Sequence, residues 1–180
     1  MQLKTERKRG KKTVKEVFAV KKSENNVDIS IAQAARKELA ECLGFLLADT
    51  YALYLKTQNF HWNVKGARFS ALHQLFENQY RELFEAVDVI AERVRALGYL
   101  APASFTEFLK MAAIEEGNGA LPASEMIRQL MNDNEKLSQS IRTFVSKAET
   151  AGDQATMDLF SQRMAAHEKA AWMLRSTLED

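Results

Sequence analysis

Residues 60–97 read FHWNVKGARFSALHQLFENQYRELFEAVDVIAERVRAL, and this stretch decides the fold. From residue 69 onward Leu72, Leu75, Phe76, Leu83, Phe84, Val87, Ala91 and Val94 recur at helical spacing. The spacing predicts one long helix over 69–97, stopped by Gly98. Four ionisable residues border its apolar face: His73, Glu77, Asp88 and Glu92. At 100° per residue they fall at about 0°, 40°, 60° and 100°, on one side of the helix. Carboxylates beside an apolar face cost free energy unless they are paired, protonated or metal-bound. Imidazole and carboxylate together are the donor set of a divalent metal such as Fe(II), Mn(II) or Zn(II). Glu82 and Glu85 read instead as an ordinary solvated face.

The stripe is too long for one ion, because its ends lie about 28 Å apart at 1.5 Å per residue. Its spacing is palindromic: four residues separate His73 from Glu77, and four separate Asp88 from Glu92. An antiparallel second copy of the helix would bring His73 and Glu77 of one chain against Glu92 and Asp88 of the other. A two-fold dimer would then carry two identical shared sites, about 22 Å apart.

Upstream, Leu39, Leu43, Leu46, Leu47, Thr50, Tyr54 and Thr57 form the stripe of a first helix over about 30–60. Ser30 with Gln33 reads as its capping-box start. His61 continues the stripe, and the company of His73 makes it a fifth candidate ligand rather than a lone core histidine. Gly66 breaks the chain between the two helices.

Downstream, a short helical stretch over 104–116 lies in a long connection and ends at Gly117 and Gly119. A third helix begins near Pro122 and Ser124 and runs to about Thr150, with Ile127, Leu130, Met131, Leu137, Ile141, Phe144 and Val145 inward. Gly152 and Asp153 make a turn. A fourth helix runs to about Leu178, with Leu159, Phe160, Met164, His167, Ala171, Trp172 and Leu174 at helical spacing. Neither helix carries the Glu-x-x-His pair of an in-bundle di-iron site, and His167 reads as a surface or capping group. The fold class is all-α: a ferritin-like four-helix bundle with a short helix between helices two and three.

Two prolines and seven glycines in 180 residues suit an all-helical chain. One cysteine excludes an internal disulfide framework, and Cys42 reads as a small buried apolar residue. No run has membrane-spanning length and no signal-peptide core is present, so the expectation is a cytoplasmic protein with no membrane partner. The net charge of +1 conceals a division. Residues 1–22 carry nine cations against two glutamates, leaving the rest acidic. The cations are Lys4, Arg7, Lys8, Arg9, Lys11, Lys12, Lys15, Lys21 and Lys22. Residues 1–26 read as a basic flexible tail and 27–180 as the bundle. The tail is either a solvated extension or a non-specific contact to the phosphates of DNA.

The run His61-Trp62-Asn63-Val64, then Gly66, Phe69, Leu72-His73, Glu77, Val87-Asp88 and Ala91-Glu92-Arg93, resembles the Dps proteins. These mini-ferritins are named for DNA binding in starved cells. The stretch Gly152-Asp153-Gln154-Ala155-Thr156, with His167-Glu168-Lys169 and Trp172-Met173-Leu174-Arg175, extends the resemblance to the C-terminus. It implies a dodecameric shell built from two-fold dimers. It also implies a ferroxidase that oxidises Fe(II) preferentially with hydrogen peroxide and stores ferric mineral. His61, His73 and Glu77 would come from one chain, and Asp88 and Glu92 from its partner. The family often has Asp where this chain has Glu77. Two iron ions per shared site fit the ligand set, with zinc or manganese as alternative occupants. Trp62 is either an electron donor beside the site or an interface packing residue. Glu149, Asp153 and Asp158 are candidates for an acidic iron-entry pore, or are helix-end charges facing water. Some Dps proteins bind DNA through Lys-rich N-terminal extensions, so the resemblance adds weight to DNA, in a stress-response or nucleoid role, as a partner.

Overall fold

The computed structural model describes residues 19–23 and 26–178. The tail cations Lys4, Arg7, Lys8, Arg9, Lys11, Lys12 and Lys15 lie outside the described residues. Five helices follow in order: α1 (Gln33–Asn63), α2 (Phe69–Ala96), α3 (Phe105–Met111), α4 (Ala123–Thr150) and α5 (Gln154–Ser176).

The four long helices bury one apolar stripe each. Leu72, Phe76, Leu83, Ala86, Val87, Ile90 and Val94 are the buried set of α2, spaced at the helical period. Phe60, Phe76 and Phe160 are the largest side chains sealed in the common core. Side-chain pairs fix the directions. Lys56 meets Asp133 at 2.7 Å and Lys147 meets Glu38 at 2.8 Å, so α1 and α4 run antiparallel. Arg93 meets Asp153 and Arg163 meets Glu82, so α2 and α5 also run antiparallel. His61 meets His73 and Tyr54 meets Phe84, so α1 and α2 are antiparallel as well. α2 and α4 therefore run the same way, and the connection holding α3 must carry the chain back along the bundle. That single long crossover is the ferritin-like topology.

Local chemistry explains the ends. Gly98, at φ 91°, lets the chain leave α2 in the left-handed region, with Gly98 N–H bonding Arg95 O and Tyr99 N–H bonding Val94 O. Ser104 caps α3 by accepting from Glu107 N–H at 3.3 Å. Beyond α3, the buried Asp49 accepts from the backbone N–H groups of Ala113 and Ile114 at 2.6 and 3.0 Å. Burial pushes the Asp49 carboxyl above the usual range despite those two bonds.

Several expectations need correcting. α1 starts at Gln33, not Ser30; Ser30 sits at φ 57° in the approach, and Ala32 is the cap. The short helix is seven residues, because the chain becomes extended at Ala112. Phe84 and Trp172 are 59% and 60% exposed rather than inward. Residues 19–23 are not a free tail. Leu100 N–H bonds Lys21 O at 2.8 Å, Ser23 N–H bonds Gly98 O at 2.9 Å, and Val20 is buried in the core. His167 is neither surface nor cap: it is 1% exposed, inside the bundle. Glu82 is no free solvated acid either, since it is the partner of the buried Arg163.

Candidate metal centre

His61 closes the last turn of α1, and His73 stands in the second turn of α2. The tight connection between the helices lays the two rings on each other, centroids 3.7 Å apart and planes 20° apart. Each ring grips the other's backbone. His61 Nδ1 lies 2.8 Å from His73 O, and His73 Nδ1 lies 2.9 Å from His61 O. A carbonyl only accepts, so both Nδ1 atoms carry the proton. In the neutral rings both Nε2 lone pairs are then free for a metal. Fixing a ligating imidazole through its other nitrogen is the usual way a protein sets tautomer and ring orientation.

Glu77 follows His73 by one turn. One donor atom each from His61, His73 and Glu77 lies within 4.8 Å of the others. His61 is buried, while His73 and Glu77 are half-buried, so the three donors open toward the surface. Two imidazoles and a carboxylate fit a borderline divalent ion, and three ligands leave positions for others. Neighbours missed in the sequence complete the walls. Arg81 pairs with Glu77 from the next turn, and this contact raises the Arg81 pKa. Tyr80 stands edge-on to His61 at 5.1 Å, and Phe69 lies against His73 at 5.1 Å. Their spacing of three, four and minus four from Glu77 and His73 was the available signal.

Asp88 and Glu92 do not join this cluster. Both are exposed, three to four turns further along α2. Glu92 instead lines a shallow groove between α2 and α5 that also includes Asp158 and Gln162. Trp62, next to His61, is 63% exposed. Leu55, Phe69, Phe84 and Val89 of α1 and α2 are exposed as well.

The pore candidates divide. Glu149 and Asp158 are exposed. Asp153 is 2% exposed and is withdrawn from the pore set. Its oxygens accept from Arg93 Nη2 at 2.7 and 2.8 Å, from Thr156 N–H at 3.0 Å and from Thr156 Oγ1 at 2.6 Å. Burial pushes its carboxyl up, but the bonds from Thr156 and Arg93 outweigh burial and hold it below the usual range. Asp153 is thus the N-cap of α5. Of the tail cations, Lys21 and Lys22 are described and both are exposed. No helix among the described residues is long and apolar enough to cross a membrane.

A ferritin-like domain model matches residues 41–180, which include every candidate ligand. The chain is 39% identical to a low-temperature-induced protein of Nostoc, over 85% of this chain and 87% of the relative. It is 37% identical to the DNA protection during starvation protein of Brevibacillus brevis, over 78% of this chain and 95% of the relative. Among solved structures, the Dps protein from Bacillus brevis superposes with a TM-score of 0.79 at 36% identity, covering 81% of this chain and 98% of that one. The Dps protein from Vibrio cholerae, described as belonging to the ferritin-like diiron-carboxylate superfamily, gives 0.82 at 29% identity, covering 87% and 99%. The helical order, the crossover and these matches agree: the chain belongs to the Dps family of ferritin-like proteins.

Proposed function

We propose that this protein is a ferroxidase and iron store whose metal centre is shared between two chains. The observation that carries the reading is the pair of stacked imidazoles with their Nε2 atoms free beside Glu77. Three ligands from one chain are too few to hold two Fe(II) ions. The exposed Asp88 and Glu92 supply what is missing when a second α2 packs antiparallel. The exposed apolar side chains Phe84 and Val89 on the same helix favour such a contact.

Iron is the substrate and cargo. Two Fe(II), one hydrogen peroxide and two protons give two Fe(III) and two waters, so both electrons reach the oxidant without release of hydroxyl radical. His61 and His73 orient the ion through Nε2, and Glu77, Asp88 and Glu92 balance its charge. Arg81 gives up Glu77 as the ion arrives. Trp62 is the proposed auxiliary electron donor. Carboxylate and imidazole hold the product loosely enough for transfer to a mineral inside a dodecameric shell. Glu149 and Asp158 remain the acids proposed for the entry pore.

The basic tail supports a second activity, DNA protection by non-specific binding; two relatives are named for DNA protection during starvation. Twelve tails on one shell would turn weak phosphate contacts into avidity.

Anaerobic loading with Fe(II) followed by a peroxide pulse tests the enzyme reading. About two Fe(II) should be oxidised per peroxide, and the Asp88→Ala, Glu92→Ala variant should be slow. Equal rates in parent and variant would leave Asp88 and Glu92 as surface charges. Zn(II) or Mn(II) binding without turnover would make the centre structural.

A further inference from the structure

We propose that Gln79, Arg163 and His167 enclose a binding site for one uncharged, water-sized molecule in the middle of the bundle, apart from the metal centre. Among the described residues these three supply the buried side-chain polar atoms that lack a partner: Gln79 Nε2, Arg163 Nε and His167 Nε2. Native proteins seldom leave such atoms unpaired, and three on facing helices call for a partner that the side chains themselves do not supply.

The helix register puts them together. α2 and α5 run antiparallel, with Arg93 against Asp153, Glu82 against Arg163, and Arg68 against the carbonyl of Thr177. On this register Gln79, one turn before Glu82, stands level with His167, one turn after Arg163. His167 and Arg163 are 1% and 6% exposed, and the guanidinium lies close enough to His167 to act on it electrostatically.

The donors and acceptors are complementary. Asn134 gives its Nδ2–H to Leu130 O, so its Oδ1 is the acceptor facing His167 Nδ1 at 2.9 Å. His167 Nδ1 therefore carries the proton, and Nε2 is a bare acceptor. Gln79 Nε2 and Arg163 Nε are donors. One acceptor without a donor and two donors without an acceptor are what a single water satisfies, giving one hydrogen and receiving two. A cation is disfavoured by the guanidinium alongside. An anion has no hydrogen to give Nε2, and the charge of Arg163 is already matched by Glu82.

A crystal structure of the assembled full-length protein, at a resolution that orders internal waters, tests this directly. The expected result is one water-strength peak at about 2.6–3.2 Å from His167 Nε2 and from Gln79 Nε2 or Arg163 Nε. A Gln79 amide bonded straight to the His167 ring with no peak between them would overturn it, as would an anomalous scatterer there. Titration of the 15N-labelled histidines by NMR gives an independent check. Gln79→Glu places a carboxylate in the same cell and should raise the His167 pKa by about one unit or more. An unmoved His167 in the folded variant would separate Gln79 from the site and overturn the proposal.

Discussion

His61 and His73 show how much one pair of residues can fix. Each ring anchors on the other's carbonyl, so truncating either side chain removes a ligand and frees the partner's backbone. His61→Ala should weaken Co(II) binding in an anaerobic titration by more than about tenfold, the loss that even an outer partner of a ligand causes. Unchanged affinity would remove His61 from the centre. Arg81 acts in the opposite sense, because it competes with the ion for Glu77. Arg81→Ala should tighten Co(II) binding, by no more than about fivefold given the weakness of exposed ion pairs; weaker binding would mean that Arg81 orients Glu77 productively. That His73 and Glu77 share one side of α2 was legible in the sequence, because helical periodicity fixes angular position. The ring stacking and the reciprocal Nδ1 bonds were not, since they depend on how the chain turns between α1 and α2. His167 was misjudged for a related reason. Its partner Asn134 lies 33 residues away on α4, beyond the reach of local periodicity. Burial first, then the nearby Arg163, push the His167 pKa down to about 3. That value lies below the ordinary 6.5, so the unfolded chain takes up the proton first. The stabilising contribution is complete above pH 6.5 and declines as pH falls toward 3. Denaturant titrations should show stability falling as pH drops through this window, by on the order of 1 kcal/mol per pH unit from this residue. His167→Gln, still beside Asn134 and Arg163, should flatten that slope.

At the scale of elements, the α4–α5 corner rests on Asp153. It caps α5 and neutralises Arg93 of α2 through its side chain, while its N–H bonds Ala148 O of α4. Asp153→Ala leaves Arg93 without its partner and the α5 N-terminus without its cap. A loss of about 3 kcal/mol is expected in thermal or chemical unfolding; a loss below about 1 kcal/mol would show that the corner is held by apolar packing alone. The Gly152-Asp153 turn was readable as a turn, but not the Arg93 contact, which pairs residues 60 apart in sequence. Helix existence was readable throughout, because each long helix has its own apolar stripe. The start of α1 was misplaced because Ser30, in the left-handed region, stands before the first turn and no side chain caps it. Phe84 and Trp172 kept the helical spacing of core residues yet lie on the outside. Periodicity reports apolar faces without saying whether the cover is the same chain or another.

For the whole molecule, residues 19–23 are tied to the chain after α2, so the tail cations to test are those before residue 19. Removing residues 1–18 takes away seven of the nine cations and should leave the fold intact. Gel-shift assays should then show DNA binding lost, whereas the parent binds with an affinity that falls steeply with salt. Full binding by the truncated protein would locate the DNA contact elsewhere. Mixed assembly shows whether two chains build each metal centre. One variant lacks His61 and His73; the other lacks Asp88 and Glu92; neither alone should oxidise Fe(II) quickly. Unfolded together and reassembled in equal amounts, half of the two-fold pairs are mixed. Each mixed pair regains one intact site, so about one quarter of the parent's fast Fe(II) oxidation with peroxide should return. If the mixture stays as slow as its components, the five residues do not meet across a two-fold interface, and the shared centre is wrong.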